Sequence, residues 1–140
     1  SNYDTMSFTA AYARKSAEMA YRMAGITNPA RQIDVAEVDD RFAFKEVQHI
    51  EALKLAKSSE IPELLEGGYF GRSGEIPVNV SGGNLSVGNL LEATGAQKAL
   101  EVVLQLRGET GRRQVDAEIG VAQAWRYIPT ASGAVAVFSR

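Results

Sequence analysis

The chain has 140 residues, 45% of them hydrophobic and 23% charged, the size and balance of a single globular domain on a prior of ~100–200 residues per domain. Its 15 Lys and Arg against 17 Asp and Glu give a net charge of −2; with no positive field to hold a polyanion, nucleic acid is not an expected partner. No Cys and 1 His exclude disulfides, thiolate metal sites and cysteine nucleophiles, and no metal centre is expected.

No apolar run approaches the ~20 residues that cross a bilayer, and the first residues lack the basic and apolar regions of a signal peptide. A cytoplasmic protein that does not enter membranes is expected. Residues 1–6, beginning Ser1-Asn2, read as a cloning scar and leader, with the domain over residues 7–140. Ser7 can cap a first helix whose stripe is Ala13, Ala17, Ala20 and Ala24, widened by Tyr12, Met19 and Met23 and closed by Gly25 with Ile26 behind it. Residues 33–38 alternate with period two and read as a strand. Asp39 and Asp40 then suit the positive end of a second helix with Ala43, Val47, Ile50 and Leu53 on one face.

Residues 58–88 turn Gly-rich and irregular, interrupted only by an extended stretch at 76–80; an excursion of that length in a small domain is usually functional or an interface. Thr94 can cap a third helix with Ala96, Leu100, Val103 and Leu104 as its buried stripe and Gly108 as its stop. Residues 115–125 and 133–138 read as paired closing strands. The alternation predicts an α/β fold, a mixed sheet of four to five strands covered by helices, with the helix at 94–107 buried centrally.

Four motifs occur in order: Asp34-Val35-Ala36-Glu37-Val38-Asp39-Asp40-Arg41-Phe42, Pro77-Val78-Asn79-Val80-Ser81-Gly82-Gly83, Gly88-Asn89-Leu90-Leu91-Glu92-Ala93-Thr94-Gly95 and Gln105-Leu106-Arg107-Gly108. Followed by Gly120-Val121-Ala122-Gln123 and a Gly- and Ala-rich last strand, they resemble the C-terminal half of a thiolase over nearly the whole chain. Ala122-Gln123-Ala124-Trp125-Arg126 and Gln48-His49-Ile50-Glu51-Ala52-Leu53 look closest to the sterol-carrier-type and archaeal acetyl-CoA acetyltransferase-like branches. The resemblance implies a thiolase half-fold, a coenzyme A thioester as substrate with no covalently held cofactor, a thiolase N-terminal half as partner, a homo-oligomer, and a zinc-ribbon/OB-fold subunit as a further partner.

It also implies a nucleophilic Cys from the other half and, from this half, a second Cys, a His in a Gly-His-Pro loop and an Asn or His after the first strand. Such chemistry needs a good nucleophile and donors aimed at the thioester enolate oxygen. Here Asp39 stands at the Asn-or-His position, Asn89 replaces the His, Glu92 replaces a Gly and no Cys is present. Asp39, Asn89 and Tyr127 are the candidate catalytic residues at motif positions. Tyr127, in the loop where the Cys would be, is a proton donor or a ring packed beside Trp125.

Two functions are left open: a catalytically altered or structural acyl-CoA-binding subunit, inactive in isolation, or part of an aldolase that cleaves a 3-hydroxyacyl-CoA without an acyl-enzyme. His49 is expected at the surface or an interface. Residues 81–84 either cradle a phosphate or form a tight turn. Arg112-Arg113 is a solvated turn or a phosphate contact.

Overall fold

The first strand, β1, runs only over Val35–Glu37, with all three residues buried. In this computed structural model, which describes residues 10–126 and 132–140, β1 pairs parallel with β2 (Ile119–Arg126), Val35 opposite Gly120 and Glu37 opposite Ala122. β2 in turn pairs antiparallel with β3 (Ser132–Ser139), from Ile119 opposite Ser139 to Arg126 opposite Ser132. The sheet is therefore mixed, in the order β1-β2-β3.

Helices cover both of its faces. Ala36 and Val121 face a core built with Ala17 and Tyr21 of α1 (Ala11–Ala24) and Ile50 of α3 (Ala43–Ala52). Val35 and Ala122 face the opposite way, onto Val102 and Leu106 of α6 (Thr94–Arg107). Short helices α2 (Pro29–Gln32), α4 (Ile61–Glu66) and α5 (Gly83–Val87) lie in the connections, so residues 58–88 are more structured than their glycines suggest. Among the described residues no helix is long and apolar enough to cross a membrane.

The expected four to five strands reduce to three among the described residues. Residues 76–80 contribute one parallel bridge, Val78 to Ala36. Pro77 has no N–H for a ladder, and Asn79 turns to φ 55°, which ends the extended backbone after a single pairing.

The ends of α1 and α6 follow expectation. Gly25 and Gly108 sit at φ 71° and 73°, and Ile26 N–H returns to the Tyr21 carbonyl in the hydrogen bond that closes such a helix end. Starts and faces differ more. The helix α1 begins at Ala11 without a side-chain cap, and Ser7 lies outside the described residues. Its buried line is Ala13, Ala17 and Tyr21, while Met19 and Met23 are exposed. The helix α3 starts at Ala43, after Asp39 and Asp40 rather than on them, and buries His49, Ile50 and Ala52, with Leu53 just past its end also buried, while Val47 is exposed.

The largest reversal is on α6. It buries Thr94, Lys98, Glu101 and Gln105 beside Val102 and Leu106, and leaves Ala96 exposed and Leu100 57% exposed. The inward polar groups are answered internally. Arg113 Nε and Nη2 donate to the two Glu101 carboxylate oxygens at 2.8 and 2.9 Å, and Gln105 bridges the Arg113 carbonyl and the Val115 N–H. Arg113 is thus engaged within the fold rather than offered as a phosphate contact.

Where β2 crosses α6, Gly120 allows the approach: a Cβ there would lie 2.5 Å from Val102 Cγ1 and 3.0 Å from Val35 Cγ1. Gly120→Ala should therefore destabilise the fold by about 1–3 kcal/mol through overpacking, measured as a lowered denaturant midpoint at unchanged slope.

Candidate functional site

Beyond β1 the chain leaves the ladder while still inside the protein, with Glu37, Asp39 and Asp40 all nearly inaccessible. An unanswered polar group there costs about 1–3 kcal/mol, and side chains from other elements supply the partners. Asn79 Oδ1 accepts the Val38 N–H at 2.8 Å and Gln123 Oε1 accepts the Asp39 N–H at 2.9 Å. His49 Nδ1–H donates to the Asp39 carbonyl at 2.7 Å. The Glu37 carboxylate accepts from the N–H and hydroxyl of Ser81. Asp40 accepts the Asn84 N–H at 2.7 Å, with the buried Lys98 ammonium at 3.8 Å.

Residues 81–84 are consequently a tight turn. Ser81 N–H goes to Glu37, Gly82 to the Asn79 carbonyl, Gly83 to Ser81 Oγ and Asn84 to Asp40, so no N–H of the four is left for a phosphate. A Cβ on Gly83, at φ +63°, would lie 1.9 Å from Asp40 Oδ2, so glycine is required for this approach.

An open cleft of about 1120 Å³ lies beside this knot, lined by Leu90, Leu91 and Thr94 before and at the start of α6, by Ala124 and Trp125 of β2, and by Arg41. Arg41 Nε is 3.1 Å from Asp39 Oδ2, and its Nη2 donates to the Trp125 carbonyl at 3.3 Å. Arg41 thus faces the cleft and Asp39 stands behind it. Glu92 also lines the cleft.

Burial shifts the ionisation of these groups. It pushes the Asp39 carboxyl above the ordinary carboxylate range, against the pull of Arg41 and Lys98, and it raises Glu37 and Glu46 as well. His49 is held down at about 4, first by burial and then by the Lys45 and Lys98 charges. Since Nδ1 donates to a carbonyl, the neutral ring has its lone pair at Nε2, where the Tyr12 hydroxyl donates at 2.9 Å.

Of the three candidate residues, Asp39 is at the site but shielded. Asn89 is exposed on the cleft lip, its Oδ1 accepting the Leu91 N–H at 2.9 Å and the Thr94 hydroxyl at 3.2 Å. The lip depends on that turn, because Leu91 adopts φ 54°. Tyr127 lies outside the described residues. His49 is not at the surface: it is 0% exposed and interior.

Residues 1–140 match the family described as thiolase C-terminal domain-like. The chain belongs to that family. This thiolase C-terminal domain-like chain is 43% identical over 107 residues to an acetyl-CoA acetyltransferase of Methanothermobacter thermautotrophicus, covering 76% of the chain and 27% of that protein. It is 37% identical over 102 residues to human sterol carrier protein 2, covering 73% of the chain and 18% of that protein. A chain of the Ltp2-ChsH2(DUF35) aldolase shares its fold at a TM-score of 0.74 with 20% sequence identity, over 89% of this chain and 30% of that one. The chain thus spans less than a third of each of these three.

The thiolase-like frame led sequence reasoning to Asp39 but not to Arg41, Gln123, Tyr12 or His49. One signal for His49 was available: it stands three and four residues before Ala52 and Leu53, the spacing of a shared helix face. Because His49 is neutral when folded, unfolded chains bind more protons as pH falls from about 6.5 to about 4, and its contribution, up to about 3 kcal/mol, is lost across that window. The raised carboxyls oppose this, since stability from them is lost as pH rises. Wild type minus His49→Leu isolates the histidine: that stability difference should shrink as pH drops from 6.5 to 4, measured by urea unfolding at each pH.

Proposed function

We propose that this chain is the C-terminal half of a thiolase-like acyl-CoA acyltransferase-type subunit, inactive in isolation, whose cleft holds a coenzyme A thioester while any acyl-enzyme chemistry is supplied elsewhere. The observation that carries this is the cleft itself: apolar walls of Leu90, Leu91, Ala124 and Trp125 with two arginines on the lining, Arg126 and Arg41, the latter held in place by Asp39. Apolar surface suits an acyl chain, and a fixed cation suits the carbonyl or phosphate oxygens of a thioester ligand. With no Cys in the sequence, thiolysis by these residues has no nucleophile. The chain should therefore show only background acetyl-CoA formation from acetoacetyl-CoA and coenzyme A, while Arg41→Ala should weaken acyl-CoA binding about 10-fold. Turnover by the chain alone, or unchanged binding by the variant, would overturn the reading.

The partner follows from α6. Its outer face carries Ala96 and Leu100 uncovered, the chain spans 27% of one acetyl-CoA acetyltransferase, and a helix with apolar side chains both toward its sheet, at Val102 and Leu106, and away from it suits cover on both sides. A thiolase N-terminal half is the natural cover, a zinc-ribbon/OB-fold subunit a further partner and the cytoplasm the setting. Without the other half, the chain should pair with itself. Sedimentation should show dimers or larger species that Leu100→Glu dissociates, and a monomer at high concentration would count against this.

A second reading is favoured by the raised Asp39 carboxyl: retro-aldol cleavage of a 3-hydroxyacyl-CoA, with Asp39 or Tyr127 as the base or acid and Asn89 donating to the enolate. The fold shared with an aldolase is compatible with it. Asp39→Asn and Tyr127→Phe in the full-length parent, assayed with 3-ketoacyl-CoA and 3-hydroxyacyl-CoA, separate the two. Loss of aldol cleavage with binding retained would establish the second.

A further inference from the structure

Arg41 and Trp125, which line the cleft, belong to a closed circuit of side chains. His49 Nδ1–H donates to the Asp39 carbonyl. The Asp39 carboxylate pairs with Arg41, and Arg41 donates to the Trp125 carbonyl. The Trp125 indole stacks on Tyr12, centroids 5.9 Å apart at 16°. The Tyr12 hydroxyl donates to His49 Nε2 and accepts from Lys45 at 3.4 Å, and the Lys45 ammonium stands 4.5 Å over the Trp125 ring. Tyr12 also backs the far wall, since a Cβ on the cleft residue Gly133 would lie 2.9 Å from its Cδ2.

Resting on the acyl-thioester reading above, we infer that His49 is a positioning residue: by donating to Asp39 and accepting from Tyr12 it fixes Arg41 and Trp125 on the cleft wall. The task needs a rigid group that donates at one edge and accepts at the other, and a neutral imidazole provides both. An apolar replacement would fill the space and leave the Asp39 carbonyl and the Tyr12 hydroxyl without this partner. The helix layer would then no longer be tied by hydrogen bonds to the end of β1 at this point.

The chain carries 1 His and 1 Trp, and both are in the circuit, so each gives an unambiguous signal in tag-free protein. Nitrogen NMR of the 15N-labelled imidazole should show the neutral Nδ1–H tautomer at pH 7, persisting below the ordinary titration range. An Nε2–H tautomer or ordinary titration would overturn the proposal. Titrating a long-chain acyl-CoA against Trp125 fluorescence, His49→Leu should bind about 10-fold more weakly and His49→Gln, which keeps a donor and an acceptor, within about 3-fold of wild type.

A merely structural residue would make affinity follow unfolding stability; here affinity should follow hydrogen-bonding capacity, even where the Leu variant is as stable as the Gln one. Equal binding by Leu and wild type, or equal loss in Leu and Gln, would refute the role. If His49→Leu does not fold, Tyr12→Phe, which removes only the hydroxyl, should weaken binding in the same direction, and unchanged binding there would refute it equally. Should wild type bind no acyl-CoA, the functional reading fails on its own. The tautomer and the Trp125 emission, shifted in Leu but not in Gln, then decide the positioning role by themselves.

Discussion

The fold turns on how the protein satisfies the end of β1. Three residues of strand deliver a run of acidic side chains into the interior, beyond the ladder that would pair their backbone. Buried backbone groups must be bonded, and here each partner comes from a different place: Asn79 after the bridge, Gln123 of β2 and His49 of α3. This explains why polar residues take interior positions in a domain of this size. It also makes the cleft wall a by-product of the same knot, because Arg41 reaches the cleft only by pairing with Asp39 and bonding to β2.

Electrostatics and topology meet on α6. Its sheet-facing side carries Lys98, Glu101 and Gln105, which complete the charges of Asp40 and Arg113 and the backbone at Val115. Val102 and Leu106 pack onto the sheet beside them, while Leu100 lies on the opposite face, uncovered among the described residues. The departures from the thiolase pattern at Asp39 and Asn89 have structural roles of their own: one anchors Arg41, and the other holds the turn that lets Leu91 adopt its positive φ.

The sequence alone determined the α/β class, the family and the glycine stops at Gly25 and Gly108, because these depend on local periodicity, on caps and on ordered motifs spaced along the chain. Tertiary structure alone decided which helix faces are buried, that residues 76–80 make only a bridge, and that His49 is interior. A polar side chain is buried when a distant partner answers it, and the partners here are 10 residues away for His49 with Asp39, 12 for Arg113 with Glu101 and 84 for Gln123 with Asp39. Hydrophobic pattern scores each residue by its own transfer cost and so assigns Lys98, Glu101 and His49 outward. The cleft was illegible for the same reason, since its walls come from the Arg41 segment, the approach to α6, and β2, which are neighbours only after the parallel crossover closes.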